Sequence, residues 1–170
     1  MAKPYILLVE DDPDDRRLTV RLLRQAYVEG DIVTVRTGTE ALQYLFGTGQ
    51  FGGRDLSYKP EMVLLDLGLP DMGGMEVLRC LQANERTRDI PVVVLTSSHS
   101  EEDLVESYRL GASSYLRKSA QQLGLCCLVR GGSLQGARPA DQGQHAAGRS
   151  SLSRVKGAAR RRGGKRKVKA

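Results

Sequence analysis

The chain alternates between short apolar runs and longer segments whose apolar residues recur at helical spacing. Four of the apolar runs stop at or just before a polar residue: 5–9 before Glu10, 62–65 before Asp66, 91–95 before Thr96, and 114–116 before Lys118. Apolar runs of this length are typical of strands that a parallel sheet buries on both faces. Residues 32–35 predict one more strand, which makes five in total.

The segments between these strands predict helices. Asp12 is a suitable N-cap and Pro13 is tolerated in a first helical turn, so the first helix is expected to begin there. The apolar stripes of the four helices are Leu18, Leu22, Leu23, Ala26 and Tyr27; Ala41, Leu42, Leu45 and Phe46; Met75, Leu78 and Leu81; and Leu104, Val105, Tyr108 and Leu110. Residues 47–60 predict a long glycine-rich loop. The alternation indicates a doubly wound, flavodoxin-like α/β domain with five parallel strands in the order 2-1-3-4-5.

Ligands of such sheets bind beyond the carboxyl ends of the strands, where the strand order reverses. In the order given, that point lies between the first and third strands, so Asp11, Asp12 and Asp66 are expected to meet there. Carboxylates crowded together need a neutralising cation, and Mg²⁺ prefers oxygen ligands. With Mg²⁺ bound, Asp66 can act as a nucleophile that forms an acyl phosphate.

Two further side chains suit the same chemistry. Lys118 offers a mobile positive charge to phosphoryl oxygens, and Thr96 offers a hydroxyl donor. Simpler interpretations exist for each residue alone: Asp11 and Asp12 before a proline can be helix caps, and Lys118 can be a solvated lysine. The set is harder to explain in this way, because its members follow different predicted strands.

Charge divides the chain into two parts. Residues 1–123 hold 14 basic and 19 acidic residues, whereas residues 124–170 hold 12 basic residues and one acid, Asp141. We therefore predict an acidic folded domain over 1–123 and a basic, disordered tail over 124–170. The tail would bring nucleic acid or another polyanion into consideration as a partner. Its composition also fits translation of a shifted reading frame, which the coding DNA would reveal.

The remaining composition indicates a cytoplasmic protein. Cys80, Cys126 and Cys127 lack the spacing of a metal site and are expected to be reduced thiols. No apolar stretch is long enough to cross a membrane, and the beginning of the chain does not have the pattern of a signal peptide.

Four segments resemble the receiver domains of two-component response regulators. The matching segments are residues 9–12, 64–70, 91–97 and 111–118, and the resemblance covers about residues 4–123. It implies that Asp66 is the phosphoacceptor, that Asp11 and Asp12 hold Mg²⁺ together with the backbone carbonyl of Gly68, and that Thr96 and Lys118 contact the phosphoryl group. Tyr115 matches the switch aromatic of the family, whose ring turns inward when the threonine moves.

The resemblance also implies a partner and a kind of activity. The phosphoryl group would come from a histidine kinase, and the loop at 47–60 is similar to that of stand-alone regulators paired with phytochrome-like kinases. The expected protein is a phosphoacceptor switch without an output domain rather than an enzyme. Two features depart from the family: Ser119 stands where a proline usually follows the lysine, and the last helix is doubtful. Homodimerisation, which often uses that helix, is therefore left open.

Two other functions were considered. An aspartyl-phosphate hydrolase acting on small phosphoesters would generally need a second acid two residues after its nucleophile, where this chain has Gly68. A polyanion-binding protein would use the receiver domain to regulate the basic tail, and its affinity would depend on salt and on the tail.

Overall fold

Five parallel strands form one sheet in the order β2-β1-β3-β4-β5, which confirms the predicted topology. The structure is a computed structural model, and it describes residues 3–26, 29–120, 124, 125 and 127. The strands are β1 Tyr5–Val9, β2 Asp31–Val35, β3 Met62–Asp66, β4 Val92–Thr96 and β5 Ser114–Arg117. The helices are α1 Pro13–Gln25, α2 Gly38–Phe46, α3 Gly74–Ala83 and α4 Glu101–Arg109. No helix within these residues is long and apolar enough to span a membrane.

Apart from Asp66 and Thr96 at their carboxyl ends, the central strands are apolar, because helices cover both of their faces. Every residue of β1, β3 and β4 is buried, whereas the edge strands β2 and β5 are partly exposed. Alternate side chains enter two separate clusters, as the pleat of a strand requires. One cluster joins Leu7, Val9, Val63 and Leu65 to Ala41 and Leu45 of α2 and to Val77, Leu78 and Leu81 of α3. The other joins Ile6, Leu8, Met62 and Leu64 to Leu22 and Leu23 of α1.

The loop between α2 and β3 is more structured than its glycine content predicted. It contains a short 3₁₀ turn at Gly49–Phe51, and it is held by the side chain of Arg54. The Arg54 guanidinium lies 4.0 Å from the ring centre of Tyr44 and donates hydrogen bonds to the backbone carbonyls of Tyr44 and Tyr58. One cation therefore fixes the loop to the end of α2 by contacts with both ring and backbone.

The predicted apolar stripe of α4 is only partly buried: Leu104, Tyr108 and Leu110 are half-buried, whereas Val105 faces solvent. Val105 is 49% exposed, and Ser107 is the buried residue of this helix. The Ser107 hydroxyl donates to the Asp103 carbonyl and lies 3.7 Å from the sulfur of Met75. α4 thus contacts α3 through a small side chain, and a hydrophobic spacing pattern could not reveal this.

The last helix, which the sequence left doubtful, includes residues of the predicted tail. Residues 124, 125 and 127 are helical, and Leu125 is fully buried in the same cluster as Leu22 and Leu23. Gly124 suits this position because a Cβ there would lie 2.5 Å from a methyl carbon of Leu116. Core packing therefore continues past residue 123. The domain boundary at that residue stays a prediction, as does the disorder of the tail, whose remaining residues lie outside the described part.

We expect Leu125→Ala to lower the free energy of unfolding by about 2–5 kcal/mol, as large-to-small changes at fully buried sites do. Cys127→Ala is the matched control, because Cys127 is helical and exposed. Its effect should stay within about 0.5 kcal/mol. Urea denaturation of both variants measures the difference. Equal losses would mean that this segment does not cover the sheet.

Candidate functional site

Side chains at the carboxyl ends of β1, β3 and β5 meet at one edge of the sheet. Lys118, directly after β5, places its Nζ 2.8 Å from Glu10 Oε2, 2.8 Å from Asp15 Oδ2 and 3.1 Å from Asp66 Oδ2. Glu10 is fully buried and Asp66 is 5% exposed, so both carboxylates are held away from water. The predicted meeting of Asp66 and Lys118 is thereby seen in the structure.

Three acids form a set that can hold a cation. One carboxylate oxygen from each of Glu10, Asp11 and Asp66 lies within 4.8 Å of the others. Glu10 Oε2 is buried and makes no regular hydrogen bond within the described residues, so its contact with Lys118 is an ion pair. An under-satisfied buried oxygen beside two more carboxylates fits a hard divalent cation such as Mg²⁺ or Mn²⁺.

Burial dominates the ionisation of Glu10. Loss of solvation raises the pKa of Glu10 to about 7, and the Asp66 charge adds to this effect, although Lys118 opposes both. Burial also opposes the charge on Lys118, but the close contacts with Asp15 and Glu10 and the charge of Asp66 outweigh it, and the pKa of Lys118 is raised. Lys118 is therefore a permanent cation that neutralises part of the acidic edge.

Asp12, which we expected to be a metal ligand, is not brought into this set. Its Oδ1 accepts hydrogen bonds of 2.9 Å and 2.8 Å from the backbone N–H groups of Asp14 and Asp15, and it thereby caps α1. These bonds hold the pKa of Asp12 below its ordinary value. Metal ligation by Asp12 stays a prediction, whereas its predicted role as N-cap is confirmed.

Backbone geometry positions the carboxylate of Asp66. The N–H of Gly68 donates to Asp66 Oδ1 over 3.1 Å, and Asp66 is the last residue of β3. Gly74, at the start of α3, passes so close that a Cβ there would lie 2.2 Å from the Asp66 carbonyl oxygen. The close approach of α3 is therefore restricted to glycine at this position. Ligation by the Gly68 carbonyl, as distinct from its N–H, stays a prediction.

Thr96 lies on β4, the strand next to that of Asp66. Tyr115 lies on β5, the strand next to β4. Thr96 ends β4 with 3% of its surface exposed, and its Oγ1 accepts a hydrogen bond of 2.9 Å from Ser98 N–H. The hydroxyl of Tyr115 is buried without a regular hydrogen bond in the described part of the chain. Burial raises the pKa of Tyr115, and the charge of Asp103 contributes. The ring thus lies inward, against the core.

Asp71 fastens the loop after β3 to the N-terminus of α2. Its carboxylate accepts hydrogen bonds from the backbone N–H groups of Gly38 and Thr39, over 2.9 Å and 2.8 Å. Partial burial opposes its ionisation, but the bonds from Thr39, Met72 and Gly38 prevail, and the pKa of Asp71 lies well below its usual range. The loop that carries Gly68 is therefore tied to a second helix.

Sequence reasoning missed two residues of the site. Glu10 is the first residue after β1, a position that points across the sheet edge, but a run of three acids does not reveal which of them enters the cluster. Asp15 reaches Lys118 from the first turn of α1. Asp15 lies three residues after the N-cap, so the sequence could have indicated its place near the site once Asp12 was identified as the cap. The peptide bond between Lys118 and Ser119 is trans, as in all described residues.

Comparisons with known proteins agree on one family. A sequence model of the response regulator receiver domain matches residues 6–130. The response regulator Rcp1 of Synechocystis sp. (strain ATCC 27184 / PCC 6803 / Kazusa) is 39% identical over 126 residues, which are 74% of this chain and 84% of Rcp1. The phosphorylated cyanobacterial phytochrome response regulator RcpA is 39% identical, with a TM-score of 0.65 over 77% of this chain and 91% of RcpA.

A third similar protein bears on the metal. The Mn²⁺-bound form of response regulator Rcp1 is 37% identical, with a TM-score of 0.64 over 75% of this chain and 90% of that one. Receiver domains bind a divalent metal, and the acids of this chain are placed to do so. The similarity to regulators of phytochromes supports a histidine kinase as the partner.

We expect Asp71→Ala to lower the free energy of unfolding at pH 7 by about 1 kcal/mol, as the loss of a helix cap does. A carboxyl with a depressed pKa stabilises the fold above its unfolded pKa of about 3.9 and loses this effect as the pH falls through the lower folded value. The difference between wild type and variant should therefore stay constant from pH 7 to about 5 and shrink below about 4.

Urea denaturation across this pH range measures the effect. Asp89→Ala is the control, since Asp89 is exposed and the same charge is removed there. A constant difference down to pH 2 would show that the Asp71 charge is not what holds the loop.

Proposed function

Because the chain belongs to the response regulator receiver family, we propose that Asp66 accepts a phosphoryl group from the phosphohistidine of a histidine kinase. The chain is thus a phosphoacceptor signalling domain, and the proposal concerns the residues that carry this role. One observation supports it above the others. Asp66 is a buried carboxylate that lies 3.1 Å from the ammonium of Lys118 and within the acidic set of Glu10 and Asp11.

The transfer exchanges one bond to phosphorus for another. A carboxylate oxygen of Asp66 attacks the phosphorus, the bond from phosphorus to the histidine nitrogen breaks, and that nitrogen keeps the electron pair. The product is an acyl phosphate on Asp66. The N–H of Gly68 fixes one oxygen of the attacking carboxylate, and Lys118 supplies positive charge to the oxygens of the incoming group.

Mg²⁺ is the proposed cofactor, and it would be held by Glu10, Asp11 and Asp66 together with the carbonyl of Gly68. Bound there, it would neutralise charge on the phosphoryl oxygens during transfer. The hard oxygen donors support a divalent cation of this kind, and the described site contributes no nitrogen or sulfur ligand. Asp12 remains in the proposal only as a nearby charge, because its Oδ1 caps α1.

Thr96 and Tyr115 are proposed to carry the response. Thr96 Oγ1 already accepts from Ser98 N–H, so the hydroxyl hydrogen is the group that can donate to a phosphoryl oxygen. Movement of Thr96 toward Asp66 would change the space beside the Tyr115 ring, which lies at the neighbouring strand. Tyr115 would then report the state of Asp66 at the surface.

The kind of histidine kinase that acts as the partner is also a proposal. The names of the relatives, which include a phytochrome response regulator, support a phytochrome-like kinase as the phosphoryl donor. A homodimer and a cytoplasmic location stay predictions. Polyanion binding by the basic tail concerns residues outside the described part of the chain.

We expect acetyl phosphate to add one phosphoryl group to the wild-type chain in the presence of Mg²⁺ and none after chelation of the metal. Asp66→Asn should abolish the addition, because an amide is not a competent nucleophile. Intact-mass measurement detects the added phosphoryl group in the wild-type chain and in the variant. Asp71→Asn, which changes another acid on the same loop, is the control and should still be labelled. Undiminished labelling of Asp66→Asn would remove Asp66 from the proposed role.

The affinity for Mg²⁺ distinguishes whether Glu10 or Asp12 is the metal ligand. At pH 8, above the pKa of about 7 that burial gives Glu10, we expect Glu10→Gln to weaken Mg²⁺ binding by about tenfold. Asp12→Asn should weaken it by only about two- to threefold, as an exposed charge does, because asparagine is an equally good N-cap. Calorimetric titration gives both values. The reverse order would restore Asp12 as the ligand and exclude Glu10.

A further inference from the structure

Among the described residues, Asp15 is the one partner of Lys118 outside the set of acids that can hold a cation. Its Oδ2 lies 2.8 Å from Lys118 Nζ, whereas the metal-competent set comprises Glu10, Asp11 and Asp66. Its backbone N–H donates to Asp12 Oδ1 over 2.8 Å, so the first turn of α1 holds the residue in place. The Asp15 side chain is 40% exposed, and water can therefore solvate it on the side away from Lys118.

Lys118 and a divalent cation would share two carboxylates. The ammonium contacts Glu10 and Asp66, which are two of the three residues of the metal-competent set. Two cations bound to the same carboxylates repel each other, and they do so more strongly in a buried site of low dielectric constant than in water. An acceptor outside the set reduces this repulsion because the ammonium can turn toward it, and among the described residues that acceptor is Asp15.

We propose that Asp15 is a positioning residue for Lys118, which gives the ammonium an acceptor outside the metal-ligating set and so lets the metal and the lysine occupy one crevice. This inference rests on the proposed function, since it concerns the same metal and the same lysine. Without Asp15, Lys118 would be held by Glu10 and Asp66 alone, and the metal would have to displace it from both.

The neighbouring residue provides a matched control for charge. Asp14 lies in the same helical turn, its side chain is 81% exposed, and it pairs with Arg17 rather than with Lys118. Asp14→Asn and Asp15→Asn remove the same charge from adjacent positions. Any excess effect at Asp15 must come from its contact with Lys118, because long-range attraction of the metal is reduced in both.

The experiment is a titration of the full chain with Mn²⁺ alone at pH 8, in which electron paramagnetic resonance reports the free metal. We expect Asp15→Asn to raise the Mn²⁺ dissociation constant by about tenfold, the range of a charge-assisted hydrogen bond, and Asp14→Asn to change it by less than about twofold. Asp15→Glu, which keeps the carboxylate, should recover most of the affinity.

A double-mutant cycle tests whether Asp15 acts through Lys118. In a Lys118→Met background, Asp15→Asn should change the dissociation constant no more than Asp14→Asn does, because no ammonium remains to be positioned. Equal effects of Asp14→Asn and Asp15→Asn in the wild-type background would overturn the inference. So would an Asp15→Asn effect that persists in full without Lys118.

Failure of the inference and failure of the proposed function are distinguishable. Metal titration needs no phosphoryl transfer, and labelling of the wild-type chain by acetyl phosphate needs no substitution at Asp15. A wild-type chain that is labelled on Asp66 while Asp15→Asn binds Mn²⁺ normally would contradict the inference alone. A chain that is never labelled, but in which the Asp15 effect depends on Lys118, would contradict the proposed function alone.

Discussion

The ion pairs of Lys118 with buried carboxylates are the interaction on which the site depends. Glu10 is fully buried and Asp66 nearly so, and two ionised carboxylates in such a place would repel each other without a nearby cation. Lys118 supplies that cation from beyond β5, the edge strand, across the end of β4. A long flexible side chain suits this distance, and its single charge leaves enough negative charge for a divalent metal to be attracted.

The fold holds these charged side chains at the edge of the sheet because the strands that precede them are buried. β1 and β3 are neighbours and are apolar up to Val9 and Leu65, so the first polar residues that follow, Glu10 and Asp66, lie at the sheet edge. Gly74 lets α3 approach the carbonyl of Asp66, and Asp71 binds the same loop to α2. The position of Asp66 is therefore set by the close packing of α3 on one side and by the hydrogen bonds of the Asp71 carboxylate to α2 on the other.

The strands could be predicted from sequence because uniform apolar runs have one interpretation when they alternate with helical patterns. The positions of Asp66, Thr96 and Lys118 followed from the same logic, since each comes at the end of a strand. Which acid of the run 10–12 enters the site could not be predicted in this way. One oxygen of Asp12, Oδ1, caps α1, and the place of Glu10 beside Asp66 depends on the direction of its side chain, which spacing along the sequence does not contain.

The packing of α4 and of the last helix shows a limit of apolar patterns. Leu125 lies in a segment whose overall composition is basic and glycine-rich, so composition alone did not indicate that this residue is buried. In α4 the apolar residues are present, but the helix rests on Ser107, a small polar residue. Composition averages over many residues, whereas packing is decided by the few that meet a neighbour.

The weak burial of α4 matters for how the state of Asp66 can reach the surface. α1, α2 and α3 each bury leucine side chains fully, whereas the fully buried residue of α4 is Ser107, so α4 is less firmly anchored in the core. A chain of hydrogen bonds leads to it from the site: Thr96 accepts from Ser98 N–H, and the Ser98 hydroxyl donates to Asp103 in the first turn of α4. A displacement of Thr96 would therefore be transmitted to α4 through Ser98 and Asp103, whereas the central strands are held by the core.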